Sequence, residues 1–326
     1  VYYLANGKSY FSHLDGHIYK RGENFFRLEA SFSIADSKYQ LTVQSSDSRP
    51  KQIQIDEKAV KAIVEHIGRF PAFMIAPKDI LILIDSSVER RRLIDKTISQ
   101  VDKTYLKQLL NYNKLLKQRN AALKGFLKIS RRDELIIDAF DNKLFEPAKY
   151  IYEKRKAYIQ AITPIVNAHY SKLSSDREKI DLTYKSKLYS SEYTALMQAS
   201  REKDYVMGKT HEGIHKDDLR ISLGGHDIRK IGSQGQLKSA IIAIKLAQAE
   251  WVRDNISKVP ILLLDDIFDK LDKERVRNLI DICSRQLQAQ FFITDTDEER
   301  ITAILDVMQL DYTHFKIENG SLVNAG

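Results

Sequence analysis

The sequence predicts an α/β fold in which a helical lobe interrupts a lobe of strands and helices, and three observations support this prediction. Residues 1–85 contain short β-rich runs separated by turn-prone residues. From about Val88 the apolar residues recur at helical spacing, and Gly and Pro are scarce. Residues 201–326 alternate between strand and helix patterns, as the βαβ units of a parallel sheet do. We therefore divide the chain into an N-terminal part of the α/β lobe (1–85), a helical lobe (86–200) and a C-terminal part of the α/β lobe (201–326).

The individual elements follow from local periodicity. We expect the second helix of the helical lobe to be interrupted near Pro147 and Pro164, because proline removes a helical hydrogen bond. In chain order, the predicted elements are strands at 25–33, 38–44 and 51–55, helices at about 88–128 and 132–173, a helix at 234–255, a strand at 260–264, a helix at 273–287, a strand at 290–294 and a helix near 297–308.

The composition excludes several classes of protein. The 326 residues are 43% hydrophobic and 29% charged, which is an ordinary globular mixture and enough chain for two lobes. No run of about 18 apolar residues occurs, and the opening "VYYLANGKSYF" lacks a basic-then-apolar leader. The single cysteine, Cys283, cannot form an internal disulfide or a thiolate metal cluster. We therefore expect a cytoplasmic protein with no membrane partner.

The positive charge is concentrated in the middle of the chain. Lys and Arg exceed Asp and Glu by 1 in residues 1–85 and by 10 in residues 86–200, whereas acids are in excess by 3 in residues 201–326. A basic middle segment between nearly neutral flanks favours a phosphate-backbone partner. A solvated lysine-rich helical surface is the alternative.

The strongest local motif is "PILLLDDIFDKLD" at 260–272. An apolar strand that ends abruptly in Asp265 and Asp266 has the form of a Walker B element, since ligands of open α/β sheets bind at the carboxyl ends of strands. Asp265 would hold the Mg²⁺ of a nucleotide, and Asp266 would orient or activate the attacking water. The alternative is an ordinary strand exit, with Asp272 capping the next helix.

A second motif, "GSQGQLKSAIIAIKLAQAEWV" at 232–252, places glycines and small polar residues before a helix. Backbone N–H groups at such a helix start can bind an anion, with Ser233 as a further donor and Gln236 on the first turn. An ordinary turn and N-cap is the alternative. This motif lies about 30 residues before the acidic pair, as the signature motif of an ABC-type ATPase does, so the two motifs together are more specific than either alone.

The chain resembles the RecF family, the SMC-like ABC-type ATPases of bacterial recombinational DNA repair, over nearly its whole length. The segments that carry the resemblance are "APKDILILIDSSVERRRLIDKTISQVDKTYL", "YNKLLKQRNAALK", "GIHKDDLRISLGG", "GSQGQ", "LLLDDIFDKLD" and "FFITDTD". One departure among them is Ile214, which stands where the family usually has Pro.

The resemblance implies an ABC-type ATPase head interrupted by an all-helical lobe, with ATP and Mg²⁺ as cofactors. It also implies an ATP-dependent homodimer that binds double-stranded and gapped DNA at gaps and single-strand/duplex junctions, acts with RecR and RecO, and assists recombinase loading in DNA replication, recombination, repair and the SOS response. The catalytic residues would be Asp265 and Asp266, with Asp265 as the metal ligand. The nucleotide-binding residues would be Ser233, Gln234, Gly235, Gln236, Asp272 and Thr294.

The family's P-loop pattern, GxxxxGK[ST], does not occur in the sequence. "GKS" at 7–9 and "GKT" at 208–210 would each need a glycine five residues earlier, where Tyr2 and Lys203 stand. The chain therefore resembles RecF without its N-terminal P-loop segment, and we expect these 326 residues to bind and hydrolyse ATP poorly or not at all.

The basic residues that we predict to contact DNA lie in the helical lobe: Arg90, Arg91, Arg92, Lys117, Arg119 and Lys124. Three successive arginines cannot all face one partner, because neighbouring helical positions are about 100° apart. His215, with Asp217 and Asp218, is more typical of a hydrogen-bond network than of a metal site. Two alternatives stay open: an SMC-type head of another class, which the short 77–233 interval disfavours, and a non-catalytic DNA-binding protein that lost its P-loop.

Overall fold

A computed structural model describes residues 1–12, 14–129, 132–174, 179–189, 192–268 and 271–325 of the protein. The helices are α1 (Tyr2–Asn6), α2 (Ile63–His66), α3 (Ile80–Ile84), α4 (Ser87–Val101), α5 (Lys103–Lys128), α6 (Glu134–Ser174), α7 (Tyr193–Met207), α8 (Ile228–Ile231), α9 (Gln234–Ile256), α10 (Lys273–Asp281) and α11 (Glu298–Val307). The strands are β1 (Phe25–Ile34), β2 (Ser37–Ser46), β3 (Arg49–Ile55), β4 (Lys58–Ala59), β5 (Ala72–Ile75), β6 (Ile180–Lys185), β7 (Asp218–Leu223), β8 (His226–Asp227), β9 (Ile261–Asp265), β10 (Phe291–Thr294), β11 (Phe315–Glu318) and β12 (Ser321–Ala325).

The first four strands form an antiparallel sheet in sequence order, which confirms the three strands predicted in this region. Alternation along β2 and β3 turns Leu41, Val43 and Ile55 inward, where they are buried against α1 and Phe70. Gly68 follows α2 with a φ of +78° and turns the chain towards β5. This sheet therefore has its own apolar core beside the larger one.

A parallel sheet joins the two ends of the sequence. Its strand order is β10-β9-β5, and Ala72 of β5 is in register with Ile261 of β9. Because β5 precedes the helical lobe and β9 follows it, the α/β lobe is built from two separated segments, as predicted. All three carboxyl ends lie at one edge of this sheet.

The helical lobe differs from the predicted helices in two places. The first predicted helix is divided into α4 and α5 at Asp102, whose side chain accepts a 2.8 Å hydrogen bond from the Tyr105 N–H and caps α5. The predicted interruption near Pro147 and Pro164 is wrong, because α6 continues through both prolines for 41 residues. Buried side chains along its whole length hold α6 in place, and this packing offsets the lost backbone hydrogen bonds.

The segment expected to be helical contains a strand, and it is one of several short strands, among them β5 and β7, that were not predicted. Residues 86–200 were expected to be helical, and most of the segment is, but β6 pairs with β7 in antiparallel register from Ile180↔Leu223. Ile180, Leu182 and Tyr184 alternate inward along β6. The alternation covers only six residues, and the surrounding segment is rich in lysine, so the strand pattern was not recognised in the sequence.

Helix α9 lies at the centre of the main core, between β5 and helices α4 and α6. Its Gln248 amide donates to the Leu93 carbonyl at 3.1 Å and to the Thr97 hydroxyl at 2.6 Å, which fixes α9 against α4. This burial fixes the position of the first turn of α9, where the Gly-Ser-Gln-Gly motif lies. Among the described helices, none has the length and apolarity needed to cross a membrane.

Candidate functional site

The acidic pair lies at the carboxyl end of β9, as predicted. Asp265 is in register with Thr294 of β10, and the Thr294 hydroxyl donates a 2.7 Å hydrogen bond to Asp265 Oδ1. The Asp266 N–H donates to the Thr294 carbonyl at 3.1 Å. Asp266 is exposed and has a φ of +50°, a conformation that non-glycine residues rarely adopt. The two strand ends thus hold both carboxylates at the edge where a ligand of an α/β sheet binds.

The donor set at this edge fits a magnesium ion held mainly by a nucleotide and water. Thr294 occupies one oxygen of Asp265 and leaves the other oxygen for a ligand. Within the described ranges, no group of three His, Cys, Asp or Glu side chains could by itself hold a metal ion. Mg²⁺ is commonly bound through one or two carboxylates and phosphate oxygens, so one oxygen of Asp265 suffices on the protein side.

The signature motif forms a reciprocal cap at the start of α9. The Gln236 N–H donates to Ser233 Oγ at 3.2 Å, and the Ser233 N–H donates to Gln236 Oε1 at 2.8 Å. The N–H groups of Gln234 and Gly235 belong to the first turn and have no partner within the helix. Ser233 and Gln234 are exposed, so this turn presents its N–H groups to the surface.

An arginine joins the signature motif to the helix that follows the acidic strand. A Cβ at Gly235 would lie 2.9 Å from Arg275 Nη1, so the guanidinium of Arg275 lies directly against the backbone of the signature motif. Asp272 caps α10 by accepting from the Arg275 N–H at 2.9 Å, and its other oxygen lies 3.3 Å from Arg275 Nε. Asp272 therefore caps α10, as the alternative interpretation of this motif predicted. Sequence reasoning missed Arg275, although its position three residues after an N-cap aspartate was a usable signal.

The structure brings the predicted nucleotide residues together in two groups. Asp265 and Asp266 meet Thr294 at the sheet edge, and the first turn of α9 meets Asp272 through Arg275. Asp269 and Lys270, which complete the predicted D-loop, lie outside the described residues.

The prediction that Arg90 binds DNA is wrong for this structure. Arg90 is 3% exposed, its Nε lies 2.7 Å from Asp218 Oδ1, and its Nη1 donates to the Asp85 carbonyl at 2.6 Å. Arg91 is partly buried and donates to the Asp217 carbonyl, while Arg92 is exposed and paired with Glu89. Of the three successive arginines, only Arg92 therefore faces solvent.

The prediction that Arg119 binds DNA is also wrong for this structure. Its guanidinium is fully buried and contacts Asp141 at 2.6 Å, Asp204 at 2.7 Å and the Thr210 hydroxyl at 2.8 Å. Two carboxylates hold the charge, and the pKa of Arg119 is raised by these partners although burial opposes it. Arg119 therefore joins α5, α6 and α7 inside the helical lobe.

Lys117 and Lys124 are exposed and belong to a lysine row on the solvent side of α5. At about 100° per residue, six lysines of α5 fall within an arc of about 100°, opposite the buried Arg119. No ion pair in the described part of the chain involves any of them. We call them the α5 lysine row: Lys103, Lys107, Lys114, Lys117, Lys124 and Lys128. The row extends over about 37 Å, close to one turn of duplex DNA.

The two aspartates of "HKDD", Asp217 and Asp218, form structural contacts, whereas Lys216 is exposed. Asp218 holds Arg90, while Asp217 accepts a hydrogen bond from the Tyr184 hydroxyl and lies 3.6 Å from Arg155. Burial raises the pKa of Asp217 to about 6. As the sequence suggested, these residues form a hydrogen-bond network, which attaches β7 to the helical lobe.

His215 is kept neutral by burial of its ring. Its Nε2 lies 3.2 Å from the Thr210 carbonyl, which can only accept, so Nε2 carries the proton and Nδ1 accepts from the Tyr112 hydroxyl at 2.8 Å. Burial lowers the pKa of His215 to about 4.

This histidine is expected to make the protein less stable in mild acid. Between pH 6.5 and 4 the unfolded chain binds a proton at His215 that the folded chain does not, so the free energy of unfolding falls as the pH falls. The raised pKa of Asp217 has the opposite effect, because it stabilises the folded protein as the pH falls. Asp217 is present in both wild type and His215→Gln, so the difference between the two proteins reports the histidine. Urea unfolding at pH 7 and pH 4 should show wild type losing about 1–3 kcal/mol relative to the variant. If wild type and His215→Gln lost the same unfolding free energy between pH 7 and pH 4, His215 would not be a buried neutral histidine.

Solved structures with the same fold are known. A structure of the recombination mediator protein RecF-ATPrS in the RecFOR pathway superposes with a TM-score of 0.86 and 26% identity, covering 98% of this chain and 86% of that one. An Smc head domain with a coiled coil and joint from Pyrococcus yayanosii has a TM-score of 0.50 and 11% identity, covering 92% of this chain and 82% of that one. The fold is that of an SMC-like ABC-type ATPase head with an inserted, mainly helical lobe.

Curated relatives identify the family within this class. The DNA replication and repair protein RecF of Flavobacterium johnsoniae is 38% identical over 317 residues, covering 97% of this chain and 88% of that protein. RecF of Parabacteroides distasonis is 37% identical over 322 residues, covering 99% of this chain and 87% of that protein. No family model matches the chain. The chain belongs to the RecF family of DNA replication and repair proteins.

The family resemblance and the predicted fold class are thereby confirmed, and the alternative of another class of SMC-type head is not supported. The roles of the individual site residues and the weak ATP binding expected of these 326 residues stay predictions.

Proposed function

We propose that this protein binds DNA under the control of ATP at gaps and single-strand/duplex junctions, in the cytoplasm, and so assists recombinase loading in recombinational repair. The observation that carries the proposal is the α5 lysine row on the surface of a RecF-family head. A solved relative is described as a mediator in the RecFOR pathway, which supports RecR and RecO as partners.

The α5 lysine row suits a DNA backbone better than it suits base reading. Lysine ammonium groups are point charges that contact phosphates, and the row has about the length of one duplex turn. Of the residues first predicted to bind DNA, Lys117 and Lys124 belong to the row. Arg91 and Arg92 lie on α4, and Arg92 is the exposed one of the two. Arg90 and Arg119 are left out of the proposed surface because they are buried and paired. The proposed surface is therefore the lysine face of α5, and Arg91 and Arg92 of α4 are proposed as further DNA contacts.

Nucleotide binding is proposed for the carboxyl edge of the parallel sheet and for the start of α9. Asp265 would hold the Mg²⁺ of bound ATP, which supplies charge neutralisation at the phosphates. Asp266 would orient the attacking water, and Thr294 fixes the position of Asp265 through its 2.7 Å hydrogen bond. Gln234, Gln236 and Asp272 would support this site through the cap of α9 and through Arg275.

The exposed first turn of α9 supports an ATP-dependent homodimer. Ser233 and Gly235 would meet the γ-phosphate bound by a second copy, because a helix start offers N–H groups and a favourable dipole to an anion. ATP would then hold the dimer on DNA, and hydrolysis would release it. Solved relatives of this fold are RecF with ATP and RecF with ATPrS.

The α5 lysine row can be tested by neutralising Lys114, Lys117 and Lys124 together as glutamines. We expect the slope of log affinity against log salt, measured with a fluorescent gapped duplex, to become less steep by about 2.7, because each lost phosphate contact removes about 0.9. Fluorescence anisotropy across a salt series measures this slope, with and without ATP and Mg²⁺.

The matched control changes the same number of charges elsewhere, at Lys38, Lys58 and Lys61, which are exposed in or beside the antiparallel sheet. The control should keep the wild-type slope, and equal losses in both triple variants would refute a specific surface on α5. The proposed control by ATP needs a P-loop, and the 326 residues contain no P-loop pattern, so DNA binding by these residues alone should not respond to ATP. A gain in affinity with ATP and Mg²⁺ would show that this expectation is wrong.

A further inference from the structure

A hydrogen-bonded loop at residues 8–12 carries two aromatic rings, a half-buried Tyr10 and an exposed Phe11. Gly7 ends α1 with a φ of +66°, and the Ser9 hydroxyl then accepts hydrogen bonds from the N–H groups of Phe11 and Ser12, each at 3.2 Å. Phe11 packs edge-on against Tyr10, with 5.4 Å between the ring centroids. The loop is therefore held by its own hydrogen bonds and does not need a ligand to take this shape.

Lysines from three different elements surround the Tyr10 ring. The ammonium groups of Lys78, Lys96 and Lys245 lie 4.9, 5.7 and 5.3 Å from its centroid, and they come from the segment after β5, from α4 and from α9. Lys78 also lies 4.3 Å from the Phe11 ring centroid. Ring faces attract cations, so the two aromatic rings hold these charges together.

The carboxylates near this cluster are already occupied. The buried Asp79 accepts from the Tyr10 hydroxyl and lies 3.5 Å from the buried ammonium of Lys245. Glu89 is paired with Arg92. Within the described ranges, those contacts leave further lysines without an anionic partner.

Lys8, Lys78 and Lys96 are the uncompensated cations of this surface. All three are exposed, and no carboxylate of the described residues forms an ion pair with any of them. The pKa of Lys96 is lowered to about 8 by partial burial of its ammonium and by the charges of Lys245 and Lys8. The pKa of Lys8 is lowered as well, by burial and by Arg92 and Lys51. Cations that repel one another in this way would gain from an anionic ligand.

The neighbouring aromatic ring indicates which anion suits the cluster. Phe11 is 58% exposed, although it lies in a hydrogen-bonded loop beside lysines. An exposed ring beside backbone-binding cations is the arrangement by which proteins bind single-stranded nucleic acid, because an unpaired base can stack on the ring. A duplex keeps its bases stacked inside and offers no base to Phe11.

We propose that Lys8, Lys78, Lys96, Tyr10 and Phe11, here called the Tyr10 cluster, bind single-stranded nucleic acid, with the lysines on backbone phosphates and the Phe11 ring stacked on an unpaired base. The proposal rests on the DNA-binding function proposed above and adds a second surface to it. The α5 lysine row holds duplex, and the Tyr10 cluster holds the unpaired strand of a gap.

Phe11→Leu tests the stacking, since leucine keeps an apolar side chain but has no aromatic face. We expect the affinity for a labelled dT oligonucleotide to fall about tenfold, within the range measured for loss of one base–aromatic stack, while duplex affinity stays unchanged. For Lys8→Gln with Lys96→Gln, the salt slope on dT should become less steep by about 1.4, because each single-strand phosphate contact contributes about 0.7.

Matched controls are Phe315→Leu, at a phenylalanine that is 56% exposed in β11, and Lys58→Gln with Lys61→Gln. Both controls should bind dT as wild type does. The proposal is overturned if wild type does not bind dT, if Phe11→Leu binds dT as wild type does or weakens duplex binding equally, or if the Lys8 and Lys96 variant keeps its slope. If the proposal for the α5 lysine row is wrong, a different result shows it: duplex binding does not change when Lys114, Lys117 and Lys124 are replaced by glutamine.

Discussion

Replacing Arg119 by methionine is expected to lower the free energy of unfolding by about 3–5 kcal/mol, the usual cost of removing one partner from a buried ion pair. Methionine has a similar length but carries no charge, so Asp204 would stay in the interior without its arginine, while Asp141 would keep only Arg201. Asp204 is fully buried and cannot turn to water. Urea unfolding followed by circular dichroism measures the loss.

The control is Arg132→Met, because Arg132 also pairs with a carboxylate, that of Glu202, but both side chains are at least half exposed. An exposed pair contributes between about 0 and 1 kcal/mol, so this variant should unfold nearly as wild type does. Equal destabilisation by the two variants would show that the buried network is not what stabilises the lobe. DNA affinity of Arg119→Met, measured where the variant is folded, should be unchanged.

Replacing Gly68 by alanine is expected to cost about 2–5 kcal/mol of unfolding free energy. Its φ of +78° disfavours any side chain, and an added Cβ would lie only 2.0 Å from the Gln100 carbonyl oxygen. That oxygen belongs to the backbone of α4 and cannot rotate away. The turn after α2 and the end of α4 would have to separate, which should appear as a lower thermal midpoint.

Gly22→Ala separates the two causes, because Gly22 has a φ of +88° and an added Cβ there would meet no heavy atom within 4 Å. This control should lose only the backbone cost, about 1–2 kcal/mol. If Gly68→Ala lost no more than Gly22→Ala, the close approach to Gln100 would be unimportant for stability.

The sequence predicted the parts of the fold that depend on local pattern. An apolar run that stops at two aspartates predicted a buried strand with the acidic pair at its exposed end, and β9 with Asp265 has this form. Ser233 and Gln236 predicted a helix start, and the structure shows both capping bonds. These features involve residues within a few positions of one another, so no knowledge of distant contacts was needed.

The burial of individual arginines depends on the phase of a helix, which composition does not reveal. Arg119 lies seven residues after Tyr112 and four before Leu123, so the three share the buried face of α5. The same arithmetic places the lysines on the opposite face, and applying it would have separated Lys117 and Lys124 from Arg119. The partners of Arg90 could not be found this way, since Asp218 lies 128 residues away in the sequence.

The continuous α6 shows a different limit of sequence reasoning. Proline weakens a helix locally, but Pro147 is itself buried and lies among core residues of neighbouring elements. Tertiary packing along a 41-residue helix outweighs two missing hydrogen bonds. Such packing involves α5 and α9, so it could not be seen from the local sequence.

The pairing of β5 with β9 bears on the order in which a ribosome-bound chain can fold. β5 emerges early, but its partner is synthesised only after the whole helical lobe. The contacts of α4, α5 and α6 are closer in sequence and can form during synthesis, whereas closure of the long loop between β5 and β9 must wait. β5 carries apolar side chains with no strand beside them during that interval. We expect the nascent chain to depend on chaperones until β9 arrives, and the nucleotide edge to be the last part of the molecule to form.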